Sequence, residues 1–143
     1  MIRYSTYMAP NPMDEGAPKK AYGRAQINDT LDINKFARHI SEHGSVYSRA
    51  DVQSILTQSV DCLREQLILG NKVSLGELGS FSISLSCNGA ISLEEFTTNN
   101  IKAVNVVWTP GEAFKDLRKD ELIEFEEVGS RKEQAELLKE KKA

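Results

Sequence analysis

From Val52 to Leu67 the apolar residues Val52, Ile55, Leu56, Val60, Leu63 and Leu67 recur at three- and four-residue steps. Such spacing places them on one face of a helix. Ser48 can open that helix, because its hydroxyl can accept from the first free backbone amides, and Asp51 adds negative charge to the first turn. Gly70 ends it. An apolar face of this length needs more cover than one short partner provides, so the helix over residues 48–69 is expected to be the spine of the core. Upstream, Ile33, Phe36, Ala37 and Ile40 form a shorter stripe that Thr30 or Asp32 caps and Gly44 stops. Two helices joined by so short a turn predict a helical hairpin whose stripes face a sheet.

After Gly70 the period changes to two. Val73, Leu75, Leu78 and Phe81 alternate with small or polar residues, Gly76 and Gly79 punctuate the run, and Phe81, Ile83 and Leu85 then face one way with serines facing the other. Asn88-Gly89 is the strongest short hairpin signal in the chain and would pair residues 81–87 with 90–96. Thr109-Pro110-Gly111 predicts the start of another helix, with Ala113, Phe114 and Leu117 as its apolar side. Helical spacing would set Lys115, Arg118 and Lys119 together on its exposed face. The ends read differently. Residues 2–8 and 19–27 predict two strands separated by a loop holding Pro10, Pro12 and Pro18. Glu121–Val128 predicts a strand able to join them, and the charged tail 130–143 is expected to be a frayed or disordered helix former.

Composition places the 143-residue chain among globular proteins, with 40% apolar and 27% charged residues. No apolar run approaches the length of a membrane span, and the N-terminus lacks a secretion signal, so the chain reads as cytoplasmic. Cys62 and Cys87 have no metal-ligand spacing and read as idle thiols of a reducing compartment, with a disulfide as the minority reading. His39 and His43, four apart, have a spacing that can chelate a metal; with no further ligand arranged beside them they read as a solvated helix face. Phosphate-binding loops, nucleophile elbows and zinc signatures are absent from the sequence, and Glu94-Glu95 and Glu126-Glu127 are sequence neighbours that strand geometry would point apart. The expectation is a protein that is not an enzyme and needs no cofactor, metal or small-molecule substrate.

The order of these pieces resembles the HU/IHF family of bacterial histone-like DNA-binding proteins. The resemblance is carried by the long helix opened by Ser48, the Gly70 turn, the Val73-x-Leu75 strand, Gly79-Ser80-Phe81, and the run Val106-Val107-Trp108-Thr109-Pro110-Gly111-Glu112-Ala113-Phe114-Lys115-Asp116-Leu117. It covers residues 31–120, and the added lengths at both ends resemble the longer HU-related subclass. The implied fold is α+β: a helical hairpin packed on an antiparallel β-sheet with a short C-terminal helix, intertwined as a dimer, with extra N- and C-terminal strands. The implied organisation is an N-terminal strand pair with a Pro-rich loop over 1–30, the HU/IHF-like domain over 31–120, and a C-terminal strand and charged tail over 121–143. The resemblance also offers a second pairing, of 81–87 with 102–108, which leaves 88–101 as an arm or its replacement.

The implied function is largely non-sequence-specific binding of double-stranded DNA in the bacterial nucleoid, by a homodimer. Charge modifies that expectation. The formal net charge is −3, whereas phosphate binding usually draws on a basic excess. In the family the arm is a basic ribbon with an intercalating proline near its tip. Here the region has no proline, Lys102 is its one cation, and Glu94 and Glu95 oppose phosphate. Contacts are therefore expected from Lys102, from Lys115, Arg118 and Lys119, and secondarily from Lys19, Lys20 and Arg24, with weaker binding and less bending than in typical members. The alternative is a protein-interaction or assembly module that has kept the fold and lost DNA binding.

Overall fold

A computed structural model of the chain describes residues 1–141. Contacts divide it into two compact units, one comprising Met1–Thr30 with the chain from Leu117 onwards and the other Leu31–Asp116.

The second unit holds the helical hairpin. α1 (Ile33–Glu42) starts at Asp32, whose carboxylate accepts from the Lys35 amide at 2.8 Å, and Gly44 turns the chain with φ of +77°. α2 (Arg49–Ile68) opens on a reciprocal cap: Ser48 Oγ accepts from the Asp51 amide at 3.2 Å while Asp51 Oδ2 accepts from the Ser48 amide at 3.0 Å. The two helices pack together, and α2 also meets β3 (Val73–Ser74) and β4 (Gly79–Cys87). β4 pairs antiparallel with both β3 and β5 (Ile101–Pro110), so the sheet order is β3-β4-β5. Phe81 stands opposite Trp108, Ile83 opposite Val106 and Leu85 opposite Val104, which settles the pairing of 81–87 in favour of the 102–108 strand.

Apolar residues of β4, β5 and α2 line an open groove of about 680 Å³, with Val60, Leu63 and Leu67 on one side and Phe81, Ile83 and Val106 on the other. Among the described residues of this unit only Ala37, Val52 and Leu67 count as buried hydrophobics, so the α2 stripe is incompletely covered within one chain. Leu63 and Phe81 are half-buried at the groove.

One expectation needs correction here. The helix expected from Thr109-Pro110-Gly111 is absent: Pro110 is the last residue of β5, where an edge strand tolerates the missing amide, and two separate 3-10 turns follow at Glu112–Phe114 and Leu117–Lys119. Asp116 lies between them with φ of +54°, a left-handed conformation that breaks any continuous helix. The tail, read as a helix former, is helical over its described part. α3 (Arg131–Glu140) opens on a second reciprocal cap between Ser130 and Glu133; Lys142 and Ala143 lie outside the described residues.

In the first unit β1 (Ile2–Ala9) pairs antiparallel with β2 (Lys20–Gln26) and parallel with β6 (Phe125–Glu127). β6 is shorter than the strand expected over Glu121–Val128. Tyr4 and Phe125 meet edge to face at 6.5 Å, and Thr6 donates to Glu127 at 2.9 Å on the same side of this sheet.

Candidate nucleic-acid interface

The side of the β3-β4-β5 sheet away from the apolar groove is built by alternation. With Phe81, Ile83 and Leu85 turned to the groove, Ser80, Ser82, Ser84 and Ser86 face the other way, opposite Thr109, Val107, Asn105 and Ala103. Asn105 donates to Ser86 across the strands at 2.8 Å. The result is a face rich in hydroxyl and amide groups, neutral and able to reach phosphate or sugar oxygens. Its alternating serines were visible in the sequence; their shared role as one surface needed the β4–β5 register.

Lys102 sits at the loop end of the β4–β5 ladder. Ser86 pairs with Ala103 and Cys87 with Ile101, so Lys102 is the additional residue of a β-bulge. Beyond it residues 88–100 form a closed loop instead of a ribbon. The Asn88 amide donates to the Asn100 carbonyl at 2.7 Å, Asn100 Nδ2 donates back to the Asn88 carbonyl at 3.3 Å, and Thr97 caps the single turn Thr98–Asn100. Ile91 and Leu93 in this loop are 95% exposed.

The remaining expected cations are divided between the two units. Lys115 ends the turn after β5 and is ion-paired to Glu112. Arg118 belongs to the other unit, with its guanidinium 5.1 Å from the Phe125 ring centroid, and Lys119 follows it there. The expected single helical face of Lys115, Arg118 and Lys119 does not exist, because the unit boundary and the Asp116 conformation fall inside it. Lys19 precedes β2, Lys20 begins it, and Arg24 lies over the Tyr7 ring at 4.7 Å. Cys62 and Cys87 are both free and exposed. His39 and His43 bring their Nε2 atoms to 3.2 Å, and no group of three or more His, Cys, Asp or Glu suited to a metal occurs among the described residues.

Residues 1–127 match the family described as HU domain fused to wHTH, Ig, or glycine-rich motif, HU-HIG. The chain belongs to the HU-HIG family. The match starts at the first residue and runs through β6, so the strands of the first unit lie within the span of the HU-HIG pattern together with the helical hairpin. Among solved structures, the HU-HIG chain resembles a crystal structure from Bacteroides vulgatus ATCC 8482 of a protein described as a candidate bacterial DNA binding protein, with a TM-score of 0.59 and 14% identity. That alignment covers 90% of this chain and 49% of the other, so the chain spans about half the length of that relative. No match is found among curated proteins. No helix among the described residues is long and apolar enough to cross a membrane.

Proposed function

We propose that this HU-HIG chain is a histone-like module that binds double-stranded DNA without marked sequence preference, associated with the bacterial nucleoid and acting as a homodimer. The observation that carries the reading is the combination of HU-HIG membership with the β4–β5 ladder, one side apolar and grooved, the other carrying the four serines with Thr109 and Asn105. The apolar side suits a second copy of the chain. The serine-rich side with Lys102 suits the sugar-phosphate backbone, where hydroxyl and amide groups position a duplex without reading its sequence.

Weaker bending follows from the loop. A closed segment bearing Glu94 and Glu95 offers neither a wrapping cationic ribbon nor a proline wedge, so the duplex gains little by deforming. Affinity is modest for a related reason, since Lys115 is already compensated by Glu112.

Titration of a random duplex of about 30 base pairs at several salt concentrations tests the proposal. Binding at low salt that weakens along a shallow slope, no steeper than about −4 on logarithmic axes, fits a few phosphate contacts per dimer. Absence of binding at low salt would select the second reading, an assembly module. That reading draws on the exposure of Ile91 and Leu93 beside Glu94 and Glu95, a combination suited to a protein partner.

A further inference from the structure

The sheet of the first unit has a face whose aromatic rings play no part in the duplex contacts expected of Lys20 and Arg24. Residues directly opposite in the β1–β2 register share a side, so Ser5 with Arg24, Tyr7 with Tyr22 and Ala9 with Lys20 stand together. The Tyr7 and Tyr22 rings are 6.1 Å apart at 35°, and the two residues are 41% and 45% exposed. Arg24 lies over Tyr7 at 4.7 Å. Next to it a groove of about 550 Å³ runs past Ser5 and Gln26 to the start of α3, where Lys132 lines it.

Charge on this face is one-sided. The register places Glu126 here, but Arg3 holds it at 2.9 Å, and Glu133 is engaged by the Ser130 amide at 2.5 Å. No carboxylate is among the groove residues, while Arg24 and Lys132 both are. Gln26 donates to Ser5 at 2.8 Å, so the polar floor is satisfied without a ligand. What stays available is a pair of aromatic rings bordered by cations.

We propose that this face binds single-stranded nucleic acid, with bases stacking at Tyr7 and Tyr22 and phosphates held by Lys20, Arg24 and Lys132. A duplex keeps its base faces inside its own stack and would leave the rings unmatched. An acidic peptide would satisfy the cations and leave the rings equally idle. A single strand offers flat rings and regularly spaced negative charge together, and stacking of this kind is tolerant of sequence. The inference does not depend on duplex binding by the other unit.

The test uses the full chain and fluorescence anisotropy of a labelled oligothymidylate of about 12 nucleotides, with random duplex and polyglutamate as competitors. The variant Tyr7→Leu/Tyr22→Leu is expected to weaken oligonucleotide binding about ten-fold, whereas Tyr7→Phe/Tyr22→Phe, which keeps the rings, stays within about two-fold. Arg24→Gln/Lys132→Gln should weaken it and flatten its salt dependence. Circular dichroism melting shows whether each variant is folded. Oligonucleotide binding without duplex binding supports this face while removing the duplex reading. The proposal is overturned by wild-type protein that ignores the oligonucleotide at low salt, by folded Leu variants that bind it like wild type, or by polyglutamate displacing it more effectively than unlabelled oligonucleotide, which would indicate an acidic protein partner.

Discussion

Two glycines set the geometry at the Gly79–Pro110 end of the β4–β5 ladder. Gly79 has φ of +110°, and a Cβ placed there would lie 2.1 Å from the Thr109 carbonyl oxygen and 2.7 Å from the Gly111 amide. A Cβ on Gly111 would lie 2.1 Å from the Glu77 carbonyl oxygen. Backbone therefore meets backbone where the turn Gly76–Leu78 approaches the turn after Pro110, and Trp108 fastens the contact by donating Nε1–H to the Leu78 carbonyl at 3.0 Å. Gly70 also has positive φ, +81°, but nothing lies within 4 Å of its absent Cβ. Gly79→Ala should accordingly cost more than Gly70→Ala, at about 1–3 kcal/mol or beyond, since strain and collision add. Urea midpoints of the two variants decide it, and an equal or larger loss at Gly70 would contradict the close approach. Gly79 was legible as a turn signal in the sequence, whereas Gly111 read as part of a helix start. Their contact was not legible, because it joins residues some thirty positions apart and only the strand register brings them together.

A second residue-scale prediction concerns acid. Hydrogen bonds from the Ser48 hydroxyl and then from its amide hold the Asp51 carboxyl below the usual aspartate range. A lowered folded value means that the contribution is fully present above the ordinary aspartate value of about 3.9 and is lost as pH falls through the folded one. Thermal melts from neutral pH down to about pH 2 should show a fall in stability that Asp51→Asn, already lacking the charge, shows to a smaller degree. Parallel pH profiles for the two proteins would count against it. This cap was readable from Ser48 and Asp51 directly, since a reciprocal cap is local in sequence. The equivalent cap at Ser130 and Glu133 obeys the same spacing, and the charged composition after Gly129 obscured it.

At the scale of elements, local signals and long-range pairing disagreed twice. Asn88-Gly89 has the composition of a tight hairpin, yet β4 finds its partner in β5, whose Val104, Val106 and Trp108 complete the apolar side that Phe81, Ile83 and Leu85 begin. Apolar matching along a whole strand outweighs one favourable turn. The segment after Pro110 has the composition of a helix start, yet Pro110 stays in the ladder opposite Gly79 and Asp116 turns left-handed. The consequence reaches the charges. Lys115 belongs to a different unit from Arg118 and Lys119 and is matched by Glu112, so Glu112→Gln should release one cation per chain for phosphate. The expected result is tighter duplex binding with a salt slope steeper by about one for each Lys115 that reaches phosphate, about two per dimer. Unchanged affinity and slope in that variant would place Lys115 outside the interface.

At the scale of the whole molecule the apolar groove is the decisive feature. The α2 stripe and the β4 alternation, both plain in the sequence, predicted a face larger than one chain could cover, and in one chain Leu63 and Phe81 remain half-buried beside about 680 Å³ of open apolar space. That makes the size of a truncation informative about the second copy. If a second copy fills the groove, Leu63 and Phe81 become core residues, and Leu63→Ala and Phe81→Ala should each cost about 2–5 kcal/mol by removing buried volume. If the groove faces solvent, the same atoms are partly hydrated already and their removal costs much less. Association adds an independent signature, because binding of folded copies to one another makes the melting temperature rise with protein concentration. The expectation is therefore large losses in both variants, a concentration-dependent melt, and sedimentation of the wild type as a dimer at micromolar concentration. A folded monomer with a concentration-independent melt and near-wild-type Ala variants would remove the homodimer, and with it the paired duplex surface that rests on it.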